Sequence, residues 1–281
     1  MRKFFLVAIS IVAALIILLF FMEEQQLPKE EFSLRKEAEE KRKETIPTIF
    51  YIENPTLEEI VPINCSKVVP IVYSHVTCLR SLSIEQRKKK FIDVLLPEVL
   101  IANEKVLKER SFLLRTLRKK KLSKKERVEL KKLKKKYRTD NIDELLRRVN
   151  SVPVSLVLAQ GAIESGWGTS RFFIEGNNVF GMYAFYTTNK KLKARNGNVY
   201  LKVYDDILQS VEDYIYNLNV GWAYEEFRRA REKGASLSLL VKTLVYYSTK
   251  RNNYVDLIRN IINKNHLTCY DKCFLNTSRN K

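Results

Sequence analysis

Residues 4–22 form an uncharged stretch of 19 residues. A helix needs about 20 residues to cross a hydrocarbon core of about 30 Å, so this stretch predicts a transmembrane helix. Two basic residues precede it and two glutamates follow it, which favours a cytoplasmic N-terminus. No small-x-small cleavage site follows, so we favour an uncleaved anchor over residues 1–22 to a cleaved signal peptide. We therefore expect a single-pass protein of the cytoplasmic (inner) membrane, with its remainder periplasmic or otherwise extracytoplasmic.

A stalk and an extended segment are predicted over residues 23–82. Residues 23 to about 50 are rich in Glu and Lys, which is typical of a membrane-proximal stalk. Two apolar runs follow at 48–52 and 68–73, and three prolines punctuate the region around them. Because proline is excluded from helix interiors, we expect these runs to be extended.

Helical periodicity begins at Ser83 and predicts a basic helical hairpin over residues 83–140. Ser83 and Gln86 fit a capping box at the start of the first helix. Residues 119–121 are three lysines that mark a turn, and Ser123 precedes the second helix. The apolar positions at helical spacing in the first helix are Phe91, Val94, Leu95, Val99, Ala102, Val106 and Leu107.

The positive charge of the chain is concentrated in this hairpin. The formal net charge is +19, and residues 108–138 alone contain sixteen Lys and Arg against three Glu. Two interpretations stand side by side: a solvated helix face, or attraction to anionic polymers or lipid head groups. Nucleic acid would suit the charge equally well, but an exported domain rarely meets it, so no nucleic-acid partner is expected. The pattern indicates no oligomeric state.

Residues 141–267 are predicted to form a mainly helical domain with one small β lobe. The lobe covers about residues 183–204, where a polar stretch leads into alternating residues of a short hairpin. Residues 268–281 are assigned to a C-terminal tail. The fold class expected is therefore mainly α with a small β lobe. Helices are predicted after the lobe at 210–218, 224–233, 236–246 and 254–263.

The chain contains four cysteines and two histidines. Four cysteines allow three pairings, and we favour the local ones, Cys65 with Cys78 and Cys269 with Cys273. A zinc site is the competing interpretation, but neither histidine forms a tight ligand cluster with the cysteines. No metal or organic cofactor is expected.

One carboxylate stands out in an apolar helix predicted to begin near Pro153 and to end at Gly166. Glu164 is the only ionisable side chain between them and lies in the last turn, where the helix dipole disfavours a negative charge. Apolar neighbours such as Leu158 and Ile163 would desolvate it. Both effects raise the pKa of a carboxyl, as a general acid near neutral pH requires. A glutamate at a frayed helix end is the alternative.

The sequence around Glu164 resembles a known family signature. Residues 159–170 read AQGAIESGWGTS and residues 177–182 read NNVFGM, similar to the bacterial N-acetylglucosaminidases of glycoside hydrolase family 73. Residues 247–254, YSTKRNNY, resemble the family's Tyr-(Ala/Ser)-Thr-x-x-x-x-Tyr stretch. The preceding helical region, with LLP at 95–97, resembles the bacterial Bax subgroup. The resemblance covers about residues 85–265.

This resemblance implies a lysozyme-like fold with a cleft beside the β lobe, and peptidoglycan glycan strands as substrate. Carried onto this chain, it makes Glu164 the general acid and Tyr247 a cleft residue that orients the N-acetyl group or the attacking water. Phe180 and Trp222 become candidate sugar-stacking surfaces. Asn178 and Tyr254 are further candidate substrate-binding residues, and Asn178 with its neighbour Asn177 is also expected to hold the turn after the catalytic helix.

The chain departs from the pattern at the second carboxylate. Glycosidases usually pair two carboxylates, yet residues 176–204 contain no Asp or Glu. Asp205 and Asp206 are the nearest replacements. Asp206 also fits the N-cap of the next helix. Either residue is a candidate second catalytic group, and we assign Asp205.

Three mechanisms remain open. An endo-β-N-acetylglucosaminidase could use the substrate's own 2-acetamido group as nucleophile. A lytic transglycosylase could use one glutamate as acid and then base. A degenerate site would leave a wall-binding scaffold. We expect the first, and basic lobe residues such as Lys190 and Arg195 would suit an anionic strand in every case.

Overall fold

The computed structural model describes residues 48–185, 187–195 and 198–276. The predicted anchor over residues 1–22 and the first part of the stalk lie outside these ranges. Within them, no helix is both long and apolar enough to cross a membrane. The described chain is mainly helical with two small sheets, as predicted.

Four strands and nine helices form the described part of the chain. The strands are β1 (Phe50–Glu53), β2 (Ile71–Ser74), β3 (Lys191–Lys193) and β4 (Tyr200–Lys202). The helices are α1 (Ile84–Leu117), α2 (Lys124–Lys136), α3 (Ile142–Arg148), α4 (Val154–Ser165), α5 (Arg171–Gly176), α6 (Ile207–Val220), α7 (Glu225–Glu232), α8 (Leu237–Lys242) and α9 (Asn252–Lys264). Short 3-10 turns cover Cys78–Ser81, Trp222–Tyr224 and Leu267–Lys272.

The predicted helix starts of the basic hairpin are confirmed. Ser83 and Gln86 form a capping box at the start of α1, and Ser123 and Glu126 form another at the start of α2. Both boxes satisfy backbone N–H groups that have no partner inside the helix.

The first half of α1 belongs to the core of the molecule. Its side chains from Phe91 to Asn103 are all buried, and the helix packs against both α4 and α6. Gly161 of α4 permits this close approach, because a Cβ at that position would lie 2.7 Å from Leu95. The predicted hairpin therefore supports the helix that carries Glu164, while the domain boundaries drawn at 82/83 and 140/141 stay predictions.

The extended segment forms a two-stranded parallel sheet. Phe50 pairs with Ile71 and Glu53 with Ser74, which confirms extended chain at both apolar runs. β2 is buried beside α1, and the backbone N–H of Tyr73 donates to Oε1 of Glu98 at 2.7 Å. The sheet thus closes one side of the core.

The disulfide joins Cys65 to Cys273, 208 positions apart, so the predicted local pairing is wrong. Cys78 and Cys269 are free thiols. The C-terminal tail runs beside the extended segment: the N–H of Phe274 donates to the carbonyl of Cys65, and the N–H of Val68 donates to that of Phe274. Backbone pairing between the two ends of the described chain brings these cysteines together, and local sequence spacing does not reveal it.

The β lobe contains the predicted hairpin. β3 and β4 pair antiparallel, with Lys191 opposite Lys202. The helix predicted at 236–246 ends earlier, at Lys242, because a series of tight turns precedes α9. The other three helices predicted after the lobe are present with small shifts of their ends.

Candidate active site

Helix α4 carries Glu164 and is almost entirely buried. It begins after Pro153, the N-cap residue, and ends at Gly166, whose φ of 59° is the left-handed conformation that glycine adopts without strain. Both predicted ends are confirmed. Only Ile163 and Glu164 in the helix retain partial exposure. The helix therefore presents its one carboxylate at the edge of an apolar core.

Glu164 is half-buried and is held by a tyrosine from α9. The hydroxyl of Tyr254 donates a hydrogen bond to Oε1 of Glu164 at 2.6 Å. Burial raises the pKa of the Glu164 carboxyl above its ordinary value, while the Tyr254 hydrogen bond and the positive charge of Lys250 lower it in part. Oε2 has no hydrogen-bond partner among the described residues, so this oxygen is available to a substrate.

A chain of hydrogen bonds extends inward from Glu164. Nε2 of Gln160 donates to the Tyr254 hydroxyl oxygen at 3.0 Å, and the Tyr214 hydroxyl donates to Oε1 of Gln160 at 2.5 Å. Gln160 is fully buried and stands one turn before Glu164 on the same helix. Because the Tyr254 oxygen accepts from Gln160, the single proton of its hydroxyl is directed to Glu164. Oε1 is thus fixed as an acceptor, and a proton on Glu164 belongs on Oε2.

Four tyrosines form a cluster at this series of hydrogen bonds. Tyr247 stacks on Tyr254, with ring centres 5.5 Å apart and an angle of 4° between the planes, and it contacts Tyr214 and Tyr224 at about 6 Å. Burial raises the pKa of Tyr247 and Tyr254 above the ordinary tyrosine value, so both are neutral donors near neutral pH. The Tyr247 hydroxyl has no hydrogen-bond partner in the described part of the chain. The structure therefore brings Glu164, Tyr247 and Tyr254 together.

Two predicted substrate contacts are structural instead. Phe180 is 3% exposed and stacks on Tyr214 with ring centres 4.0 Å apart, so it supports the site from behind and offers no open face to a sugar. Asn178 is buried, and its side chain bonds the backbone of Met182 and the carbonyl of Lys202. Asn178 holds the turn, as expected, but its polar atoms are already used within the protein. These placements correct both substrate-binding assignments.

Asn177 fixes the same turn to the rest of the fold. Its Nδ2 donates to the carbonyls of Tyr204 and Asp205, and its Oδ1 accepts from the N–H of His75. The predicted role of Asn177 in the turn is confirmed.

Trp222 lies in the turn before α7 and is 87% exposed. The next aromatic residue of that turn, Tyr224, contacts Tyr247. An exposed indole so near the tyrosine cluster suits a sugar-stacking role, which stays a prediction.

The lobe supplies no carboxylate in contact with Glu164. Asp205 is exposed and ion-paired with Lys190, which keeps the pKa of Asp205 below its ordinary value. Asp206 is the N-cap of α6 and accepts from the N–H of Gln209 at 2.8 Å, as predicted. Across the described ranges, Lys250 is the charged side chain that acts on the Glu164 pKa. A catalytic role for Asp205 stays a prediction.

The described residues contain no group of three or more His, Cys, Asp or Glu that could hold a metal ion. The residues that sequence reasoning missed are Gln160 and Tyr214. A buried amide one turn before the acid, on an otherwise apolar helix, is the signal for Gln160. For Tyr214 the sequence offers no such signal, because only a long-range contact with Gln160 brings it there.

A half-buried glutamate at the end of α4, in a mainly helical domain with a small β lobe, is thus the candidate catalytic centre. Residues 139–267 match the glucosaminidase family, described as mannosyl-glycoprotein endo-β-N-acetylglucosaminidase. The chain is similar to this family over that domain, as its motifs predicted.

A curated relative extends the similarity beyond the domain. The chain is 33% identical over 187 residues to protein bax of Escherichia coli strain K12. The match covers 60% of this chain and 66% of that relative, just under two thirds of its length.

Two solved structures are also similar. The catalytic domain of the autolysin Auto from Listeria monocytogenes is 20% identical, with a TM-score of 0.42, and the match covers 68% of this chain and 92% of that one. The glycoside hydrolase domain of FlgJ from Salmonella typhimurium is 26% identical, with a TM-score of 0.34, and the match covers 42% and 77% of the two chains.

Proposed function

We propose that this protein is a peptidoglycan hydrolase, an endo-β-N-acetylglucosaminidase that cleaves cell-wall glycan strands with Glu164 as general acid. The observation that carries the proposal is the state of this carboxyl: half-buried, with a raised pKa and with one oxygen held by Tyr254. The glucosaminidase family of residues 139–267 supports the substrate class. A lysozyme-like arrangement, with the cleft between the helical domain and the β lobe, is part of the proposal.

In the first step, Oε2 of Glu164 gives its proton to the glycosidic oxygen as the bond from C1 to that oxygen breaks. A carboxyl with an ordinary pKa would be almost wholly ionised at neutral pH and would have no proton to give. General acid catalysis of this kind contributes about 10²–10⁴-fold in rate. The raised pKa therefore keeps a useful fraction of the Glu164 side chain in its acid form.

The substrate's own 2-acetamido group is the proposed nucleophile. Its carbonyl oxygen attacks C1 while the leaving oxygen takes the proton, and a bicyclic oxazolinium ion results. Water then attacks C1, the bond from C1 to the acetamido oxygen breaks so that the ring opens, and the water passes a proton to the Glu164 carboxylate, which restores the acid. This route needs only one protein carboxyl, in agreement with the lack of a carboxylate contact at Glu164.

Tyr247 fits the task of holding the acetamido group. Its hydroxyl is neutral, has no partner within the described chain, and belongs to a ring stacked on the residue that binds Glu164. A neutral hydroxyl can donate to the acetamido oxygen or accept from its N–H. A fixed ring gives this contact a defined direction.

Two other outcomes are distinguishable. The same single acid could promote attack by the 6-hydroxyl of the sugar being cleaved, which gives an anhydro end, as in lytic transglycosylases. Alternatively, the domain could bind the wall without cutting it. A membrane anchor at residues 1–22, with the domain on the outer side, is part of the leading proposal.

Digestion of purified wall sacculi with the full chain, followed by mass spectrometry of the released ends, tests this function. New reducing N-acetylglucosamine ends are expected. Reducing N-acetylmuramic acid ends would instead indicate a muramidase, and anhydro-muramic ends a transglycosylase. Binding without release would identify a wall-binding protein.

A further inference from the structure

A cavity lies on the far side of helix α6 from Glu164. It has a volume of about 800 Å³ and is lined by α1, the end of α2, the end of β4 and α6. The α6 residues that line it include Gln209, Glu212, Asp213 and Tyr216, which share one helical face. Tyr214, which faces the site of Glu164, is about 150° away around the same helix. The cavity is therefore separate from the proposed active site.

The lysines and carboxylates of this α1–α6 cavity are mostly paired with one another. Lys105 binds Glu212 at 2.5 Å, and Lys202 binds Asp213 at 2.7 Å. Each pair joins two elements of the wall, which keeps its polar atoms in place at the cavity surface. Such atoms can donate to and accept from hydroxyl and amide groups of a ligand without a large change in charge.

The third pair ties the hairpin to the cavity in the same way. Lys136 binds Glu109 at 2.5 Å, and the Tyr137 hydroxyl donates to the other oxygen of Glu109 at 2.6 Å. The Tyr204 hydroxyl donates to Asp213 at 2.5 Å. Two of the three cavity carboxylates, Glu109 and Asp213, are thus each bound by two side chains. The polar wall is therefore largely preorganised for a ligand.

One cation of the wall is not paired. Lys108 lines the cavity, and no carboxylate contacts it in the part of the chain that the structure describes. The wall also has an apolar part: Val106 and Ile215 are buried, and the ring of Tyr216 is partly exposed. An aromatic face beside fixed polar groups suits a sugar, which has a C–H face and a hydroxyl edge.

We propose that the α1–α6 cavity is a second glycan-binding site, which takes a carboxylate-bearing amino-sugar segment and places its carboxylate at Lys108. This inference rests on the proposed function for the class of ligand. A strand held in this cavity would keep the enzyme on the wall independently of the bond at Glu164. In this proposal the basic hairpin contacts the strand at one defined residue, Lys108, and does not act only through its general positive charge.

Binding by the full chain with Glu164→Gln, which removes cutting, tests the proposal. The probes are soluble peptide-free glycan strands with muramic carboxylates, and neutral chitin oligomers of the same length. Lys108→Glu should weaken binding of the acidic strands about tenfold, the loss of one charge-assisted hydrogen bond. Binding of the neutral oligomers should change far less.

Lys124→Glu is the matched control, because Lys124 is an exposed hairpin lysine that does not line the cavity. It makes the same charge change and should leave strand binding almost unaltered at physiological salt. Equal losses in the two variants would overturn the proposal in favour of a general basic surface, and no loss in either would overturn it as well.

A second pair of variants tests the aromatic face. Tyr216→Ala should weaken strand binding, while Tyr216→Phe keeps the ring and should retain it; equal binding by both would contradict a stacking role. The binding assays need no turnover. Failure of the wild-type protein to cut sacculi would therefore reject the proposed function, while the binding results would still decide whether the α1–α6 cavity binds glycan.

Discussion

Tyr254 donates a 2.6 Å hydrogen bond to Glu164, 90 positions earlier in the chain. This contact joins α9 to the end of α4, and it fixes Oε1 as the oxygen of the Glu164 carboxyl that faces inward. Behind it, Gln160 orients the Tyr254 hydroxyl, and Tyr214 orients Gln160. The Glu164 carboxyl is therefore positioned by a short, directional series of buried groups.

Tyr254→Phe should move the alkaline limb of the kcat/KM profile to higher pH. The Tyr254 hydrogen bond stabilises the ionised form of Glu164 and so lowers its pKa; its removal raises that pKa further. Because the acid must be protonated to act, activity would persist to higher pH, while kcat falls as the carboxyl loses its orientation. Steady-state rates across pH measure both effects.

The control for this variant is Tyr246→Phe, which alters an exposed neighbouring tyrosine stacked with Arg251. Its pH profile should match that of the wild type. If the alkaline limb of Tyr254→Phe stays in place or moves to lower pH, the Tyr254 hydrogen bond does not set the pKa of the working acid.

Gln160→Met should destabilise the fold by about 2–4 kcal/mol, because it leaves two buried tyrosine hydroxyls without their amide partner. Tyr214→Phe removes only the inner bond and should cost about 1 kcal/mol. Urea unfolding measures both values. Equal costs in the two variants would contradict the description of Gln160 as the link between the tyrosines.

Glu98→Gln should reduce the loss of stability with rising pH. Glu98 is fully buried, its Oε2 has no hydrogen-bond partner among the residues that the structure describes, and burial raises its pKa well above the ordinary value. Its contribution to stability is greatest below the unfolded-state pKa of about 4.3 and declines as pH rises from there toward the folded-state pKa. Glutamine has no proton to lose, so this part of the slope disappears.

Free energies of unfolding between pH 4 and pH 8 would show the difference. Glu85→Gln, at an exposed position of the same helix α1, is the control and should keep the wild-type slope. A Glu98→Gln slope equal to that of the wild type would mean that Glu98 does not titrate as its burial requires.

Replacement of both Cys65 and Cys273 by serine should cost about 2–5 kcal/mol of stability, because their disulfide closes a long loop. Thermal unfolding under oxidising conditions measures this loss. The double variant Cys78→Ser with Cys269→Ser is the control and should lose less. Equal losses in the two double variants would instead indicate the local pairing, because each variant would then break both local disulfides.

The sequence was a good guide wherever the signal is local. Nearby residues determine the caps at Ser83 and Ser123, the ends of α4 at Pro153 and Gly166, and the lobe hairpin. Each of these features depends on backbone interactions within a few residues. The raised pKa of Glu164 was also predictable, because a single carboxylate in an apolar helix is visible in the sequence alone.

The features that escaped prediction depend on distant parts of the chain. The contact from Tyr254 to Glu164 and the disulfide from Cys65 to Cys273 bring together residues far apart in sequence. Phe180 was misassigned because an aromatic residue near a motif fits a buried support as well as a sugar platform. Its environment is set by Tyr214, which arrives from another helix.

The central claim is that Glu164 is the acid that cleaves the strand. The most direct test compares Glu164→Gln with Asp205→Asn for release of reducing ends from sacculi, with folding and wall binding measured in parallel. Glu164→Gln should lose about 10²–10⁴-fold in rate while it still folds and binds, because the amide cannot donate a comparable proton. The proposed route through the 2-acetamido group gives Asp205 no catalytic role, so Asp205→Asn should retain activity within a few-fold. Activity of Glu164→Gln close to the wild-type rate would contradict the account.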